Sequence, residues 1–392
     1  MGNFAEIIDR RGTACLKYDF AVDRGYPADV LPFWVADMDF QTPEPVRQAL
    51  CKSSSHGIFG YTGVTAEYRE VLADWFQRRH NWKIDKEALV ITPGVVFAIC
   101  TAIRAYTAPG DGVLICTPVY YPFSESIRSN GRKLVESPLV EKDGHYEIDF
   151  ADFEKKIQLE QVKMFVLCSP HNPVGRVWRR EELLRLADIC QKYDVLVVAD
   201  EIHQDFVRAG YEHTVFASLS KEVAQRTVTC TSPSKTFNLA GLQISNIFIE
   251  NEKLHRRFQA ELAAVGYSQP NALGLFAAQA AYKDGESWLM ELLVYLEENL
   301  RRTRAFLQEN LPQVRLLEPE GTYLLWLDCR ALGMSNKTLD ELIIQQGKLW
   351  LDSGWIFGKN GAGFQRINMA CPWSVLEEGL TRLANCLKIS NL

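Results

Sequence analysis

Between residues 94 and 250, short apolar runs alternate with amphipathic stretches: VLIC (113–116), KLVE (133–136), KMFVLC (163–168), VLVVA (195–199), TVTCT (227–231) and SNIFIE (245–250). Runs without polar alternation predict strands covered on both faces, as in a parallel sheet held between helical layers. Between KMFVLC and VLVVA lies EELLRLADICQKY (181–193), in which Leu183, Leu184, Ala187 and Cys190 recur at helical spacing. Glu181 and Glu182 stand at its start, where the helix dipole favours acids. Repetition of this β-α-β unit predicts an α/β fold, with a mostly parallel central sheet covered by helices and ligands received at the carboxyl ends of its strands.

Beyond residue 285 the pattern changes to a long helical segment, ELLVYLEENLRRTRAFLQEN (291–310), followed by TYLLWLD, KLWLDSGWIFG and FQRINMA. This predicts a smaller α+β domain. Its last helix is expected to open on a capping box of Ser374 and Glu377 and to run through Leu376, Leu380, Leu383 and Leu387. The opening residues carry several prolines and no sheet pattern of their own. Three parts are therefore expected: an N-terminal segment (1–47) packing with the small domain, a large domain (48–285) and a small C-terminal domain (286–392).

Composition narrows the class of function. Of 392 residues, 47% are hydrophobic and 23% charged, which excludes fibrous and largely disordered chains. The formal charge is −6 and no long basic run offsets it, which argues against nucleic acid and anionic membranes and for a small-molecule partner. The basic fragments at 78–80 and 301–304 read as solvated helix faces. Ten cysteines lie scattered, several inside apolar runs, without a Cys-x-x-Cys, which fits a reducing compartment. MGNFAEIIDRR has no apolar core of signal-peptide length and nothing downstream reaches the length of a membrane span, so a cytoplasmic protein is expected. No His-x-x-x-His pair or Cys cluster is present, and no metal is expected.

Candidate chemistry sits at strand ends. Lys235, in SPSKTFNLAG (232–241), follows an apolar strand among small uncharged residues. Burial there lowers its proton affinity, and a neutral amine forms a Schiff base with an aldehyde; taken alone, the fragment fits a solvated surface lysine at least as well. Asp200 closes VLVVA, where a carboxylate can pair with a protonated ring nitrogen or simply cap the next helix. Asn172, in SPHNPVG (169–175), can donate to a phenolate oxygen or hold a turn. The amides of Val95 and Val96, after Thr92-Pro93-Gly94, can receive a phosphate at a helix N-terminus. Arg366 alternates with Phe364 and Asn368 on one strand face, and its guanidinium suits a carboxylate.

Together, Asn172-Pro173, Asp200-Glu201 and Ser232-x-x-Lys235, in this order, resemble the fold-type I enzymes that use pyridoxal 5'-phosphate, the aspartate aminotransferase superfamily. Within it, PFWVADMDF (32–40), FGYTG (59–63), DEIH (200–203) and PSKTFNLAG (233–241) resemble the MalY/PatB branch of cystathionine β-lyases, or C-S lyases. The resemblance spans nearly the whole chain. It implies that Lys235 holds the cofactor aldehyde, Asp200 pairs with the ring nitrogen, Asn172 contacts the phenolic oxygen and Tyr120 stacks on the ring. Ser232 and the amides of Val95 and Val96 would cup the phosphate, Arg366 would clamp the substrate carboxylate, and the large domain would be the cofactor-binding one. Tyr61 would reach the phosphate of a neighbouring subunit, so a homodimer with shared active sites is implied.

Two positions depart from the aminotransferase pattern: Gln243 stands where an arginine usually binds the phosphate, and His203, counted among the cofactor contacts, replaces a tyrosine. The implied reaction is α,β-elimination from L-cysteine S-conjugates such as L-cystathionine, giving homocysteine, pyruvate and ammonia. An aminotransferase of the same fold is the alternative.

Overall fold

The structure, a computed structural model, describes residues 2–389. Seven strands form the large sheet: β1 (Leu89–Thr92), β2 (Gly112–Thr117), β3 (Lys133–Pro138), β4 (Val162–Cys168), β5 (Leu196–Asp200), β6 (Thr227–Thr231) and β7 (Ser245–Phe248). Their order is β1-β7-β6-β5-β4-β2-β3. Only β7 runs against the rest, antiparallel to both β1 and β6, so the sheet is mostly parallel, as the unbroken apolar runs require. The edge strand β1 has no counterpart in the sequence-based expectation, because four residues of LVIT carry too little pattern to tell strand from helix.

The register brings the chemistry level. Cys168 of β4 pairs with Asp200 of β5, and Asp200 with Cys230 of β6, so the turns that follow these three strands open side by side. Helix α1 (Glu44–His56) packs on α3 (Ala272–Asp284), and α2 (Val95–Tyr106) covers one face of the sheet with Ala98, Ile99, Ala102 and Ile103 fully buried.

In the C-terminal part, β8 (Arg315–Leu317), β9 (Leu324–Asp328), β10 (Asp352–Ser353) and β11 (Phe364–Asn368) form an antiparallel sheet in the order β8-β9-β11-β10. It packs with α4 (Glu286–Asn310) and α5 (Trp373–Ile389), whose Leu376, Leu380, Leu383 and Leu387 are buried. The expected capping box is displaced. The Pro372 carbonyl already accepts from the amides of Val375 and Leu376, so Ser374 lies inside the first turn instead of capping it.

The N-terminal segment adds a short parallel pair, Leu31–Pro32 with Leu349–Trp350. Phe33 then lies so close to α5 that a Cβ on Gly379 would come within 2.4 Å of its ring, which is why a glycine faces it. Residues 34–40 continue across the cleft and bond to both parts of the chain.

Candidate active site

Lys235 stands on a single helical turn, Pro233–Thr236, directly after β6. Ser232 caps that turn by accepting from the Ser234 amide at 3.1 Å, and Pro233 at its first position presets the backbone. Lys235 as a residue is half-buried, and its Nζ donates to the Ala36 carbonyl at 2.7 Å. Burial, reinforced by Arg366 and opposed by Asp37 and Asp200, lowers its pKa to about 8. A useful fraction of the amine is therefore neutral near pH 7.

Asp200 faces the same cavity from the end of β5. It is 5% exposed, accepts one hydrogen bond from the Ile202 amide at 3.1 Å, and forms no ion pair among the described residues. Burial pushes its pKa up to about 7. A buried carboxylate left without a cation is the environment a protonated ring nitrogen would complete.

Asn172 is buried where the chain leaves β4. Its Oδ1 accepts from Arg366 at 3.0 Å, and Nδ2 has no partner among the described residues. Arg366, on β11, is 2% exposed; it donates to the Trp34 carbonyl at 2.6 Å, ion-pairs with Asp352 and lies 4.9 Å over the Phe357 ring. Its Nε is buried and unpartnered.

The cavity, about 200 Å³, is also lined by Gly94, Val95, Val96, Tyr120, His203, Ser232 and Gln243. The amides of Val95 and Val96 open α2 and have no intrahelical acceptor, as an anion site requires. Tyr120 is half-buried with its ring edge-on to Phe123, and burial raises its phenol pKa. Ser232 Oγ is already committed to the Ile244 carbonyl at 2.8 Å. Burial, then the positive charges of Lys235 and Arg366, lower the His203 pKa to about 3, which keeps a neutral imidazole whose Nδ1 has no partner. These features fit pyridoxal 5'-phosphate: a low-pKa amine for its aldehyde, an unpaired acid for its ring and free amides for its phosphate.

Two expected site residues are not among the cavity lining: Arg366, which is joined to it through Asn172, and Tyr61, which stands apart. Tyr61 is 94% exposed and lines no part of this cavity. Three groups were not expected from the sequence. Asp352 pairs with Arg366, Tyr323 donates to the Ala36 carbonyl at 2.9 Å, and Ala36 receives Lys235. An acid inside the apolar stretch KLWLDSGW was a usable signal for Asp352; nothing local marks a backbone carbonyl. No cluster of His, Cys, Asp or Glu among the described residues is arranged to hold a metal, and no described helix is long and apolar enough to cross a membrane.

Comparison with known proteins gives the family. The family model for aminotransferase class I and II matches residues 28–383. Cystathionine β-lyase PatB of Bacillus subtilis is 44% identical over 98% of this chain and 100% of its own, and protein MalY of Escherichia coli is 34% identical over 99% of each. Cystalysin from Treponema denticola, solved with a pyridoxal 5'-phosphate cofactor, is 41% identical with a TM-score of 0.96, covering 99% of each chain. The chain belongs to the class I and II aminotransferase family of fold-type I pyridoxal-phosphate enzymes, in its PatB/MalY branch of cystathionine β-lyases.

Proposed function

We propose that this protein is a carbon–sulfur β-lyase that cleaves L-cysteine S-conjugates such as L-cystathionine, yielding a thiol, pyruvate and ammonia, and that it works as a homodimer with shared sites. The observation that carries the reading is one cavity holding both a lysine of lowered pKa and a buried acid without a cation. Full-length similarity to cystathionine β-lyases selects the reaction.

Bound there, pyridoxal 5'-phosphate supplies an aldehyde for amino groups and a ring that takes up the electron pair freed at Cα. Lys235 would hold that aldehyde, and its neutral Nζ would serve as the base for the substrate Cα proton. Asp200 would keep the ring nitrogen protonated, Asn172 would offer Nδ2 to the phenolic oxygen, and Tyr120 would pack on the ring. The Val95 and Val96 amides would hold the phosphate, joined by Ser232 were its hydroxyl to turn from Ile244. With Gln243 in place of an arginine, the phosphate depends more on these neutral donors. Arg366 would clamp the α-carboxylate with its guanidinium, and the sulfur would depart from Cβ as a thiolate.

Tyr61 belongs to the second subunit's site in this reading. Its exposure, beside exposed Ile58 and Phe59, and an apolar groove of about 770 Å³ between α1 and α3 support an interface there. Product analysis tests the function. Pyruvate and homocysteine from L-cystathionine establish the lyase; amino transfer from alanine to a 2-oxo acid without thiol release names an aminotransferase instead.

A further inference from the structure

The block at residues 32–40 is one of the family motifs, yet the reaction above uses none of its side chains. Its backbone nevertheless threads the cleft. From Trp34 to Met38 every carbonyl is taken: Trp34 by Arg366 at 2.6 Å, Val35 and Asp37 by Asn368 at 2.7 and 2.6 Å, Ala36 by Lys235 at 2.7 Å and Tyr323 at 2.9 Å, and Met38 by Asn238 at 3.0 Å.

Behind this belt lies a charge cluster. Arg10 meets Asp37 and Asp39 at 2.7 Å each. Lys17, 1% exposed, lies 2.8 Å from Asp39 and 3.6 Å from Asp37, and the Tyr18 hydroxyl donates to Asp39 at 3.1 Å. Asp37 Oδ1 is buried and accepts no hydrogen bond, its ionic contact being Lys17 Nζ at 3.6 Å. The charged groups acting on Lys235 are Asp37 from this segment, Arg366 from β11 and Asp200 from β5, with neutral His203 beside them. Asp37 acts most strongly of the three charges.

We propose that Asp37 is a positioning residue for Lys235: held by Arg10 and Lys17, it sets the Ala36 carbonyl against Nζ and supplies the negative charge that balances Arg366 there. This role rests on the reading of Lys235 as the cofactor lysine. It predicts opposite effects from two neighbouring substitutions. Asp37→Asn removes negative charge and disfavours a proton on Nζ; Arg10→Gln removes positive charge from the same cluster and favours one.

The test is a pH titration of the visible band of the pyridoxal-phosphate holoenzyme in wild type and both variants. The midpoint should fall in Asp37→Asn and rise in Arg10→Gln, each by about half a unit to one unit, a three- to tenfold change in the ionisation constant. Loosened packing alone would move both the same way, and that outcome, or an unmoved midpoint in folded Asp37→Asn, overturns the role. If Asp37→Asn does not fold, Arg10→Gln decides: a higher midpoint supports the role, and an equal or lower one overturns it. A wild type without a visible band at any pH overturns the cofactor reading and this role together, whereas a band with an unmoved midpoint overturns this role alone.

Discussion

At Lys235 and Asp200 one physical cause, burial, works on opposite charges: it lowers the lysine's pKa to about 8 and raises the aspartate's to about 7. Lys235→Ala should abolish the visible cofactor band and cut elimination by at least about 10²- to 10⁴-fold, since base and covalent anchor go together; absorbance and pyruvate release measure both. Asp200 carries a stability signature as well. Its folded pKa lies above the unfolded value, so its contribution is complete below about pH 4 and is lost as pH rises towards 7. In cofactor-free protein, Asp200→Asn should therefore melt higher than wild type at pH 8, by up to about 4 kcal/mol, and converge with it at pH 4. Equal melting at both values would show a well-solvated carboxylate. Arg366→Ala should raise KM for carboxylate substrates by about 1.5–3 kcal/mol, but it also strands the buried Asp352 carboxylate. The double variant Arg366→Ala/Asp352→Asn should recover stability without recovering KM, as melting and steady-state kinetics would show. The strand-end positions of Lys235, Asp200 and Asn172 were legible because each interrupts or closes an apolar run. Asp352 was not read although its place in an apolar stretch marked it, and Tyr323 was not read because its partner Ala36 is 287 positions away.

At the scale of elements, the strands buried on both faces could be read directly, and the errors fell where local pattern is thin. β1 has four residues, and the small hairpin Val140–Lys142 with His145–Glu147 turns on Asp143-Gly144, a dipeptide that was the available signal and that takes up positive φ at both positions, 53° and 90°. Nor could the reversal of β7 be seen, because direction leaves no mark on an apolar run. The turn that carries Lys235 is fixed at its far side by Asn238, whose Nδ2 donates to the Met38 and Phe40 carbonyls and whose Oδ1 accepts from the Met38 amide. Asn238 also has φ of 57°, a left-handed conformation that asparagine tolerates. Asn238→Ala should cost about 2 kcal/mol or more through lost hydrogen bonds and backbone strain, and Asn238→Gly should recover about 1 kcal/mol of it. Urea midpoints check this, and identical values for the two variants would place the whole cost in the hydrogen bonds.

For the whole molecule, the proposed dimer makes its own prediction. Lys235→Ala and Tyr61→Ala chains, each inactive, should regain up to one functional site per hybrid dimer when mixed under conditions that exchange subunits; no recovery despite confirmed exchange would mean that Tyr61 acts within its own chain. By itself, the sequence determined the α/β class, the strands and the candidate residues that close them, because burial on both faces of a strand must be written into its own residues. Only the tertiary structure decided which of those residues meet. Lys235 and Ala36 are 199 positions apart, and Arg366 and Asn172 are 194 apart. The pKa values of Lys235 and Asp200, the unpartnered Nε of Arg366 and the exposure of Tyr61 were likewise settled there. Desolvation and Coulomb energy depend on which groups lie within a few ångströms, and that neighbourhood is assembled from segments whose local patterns carry no record of one another.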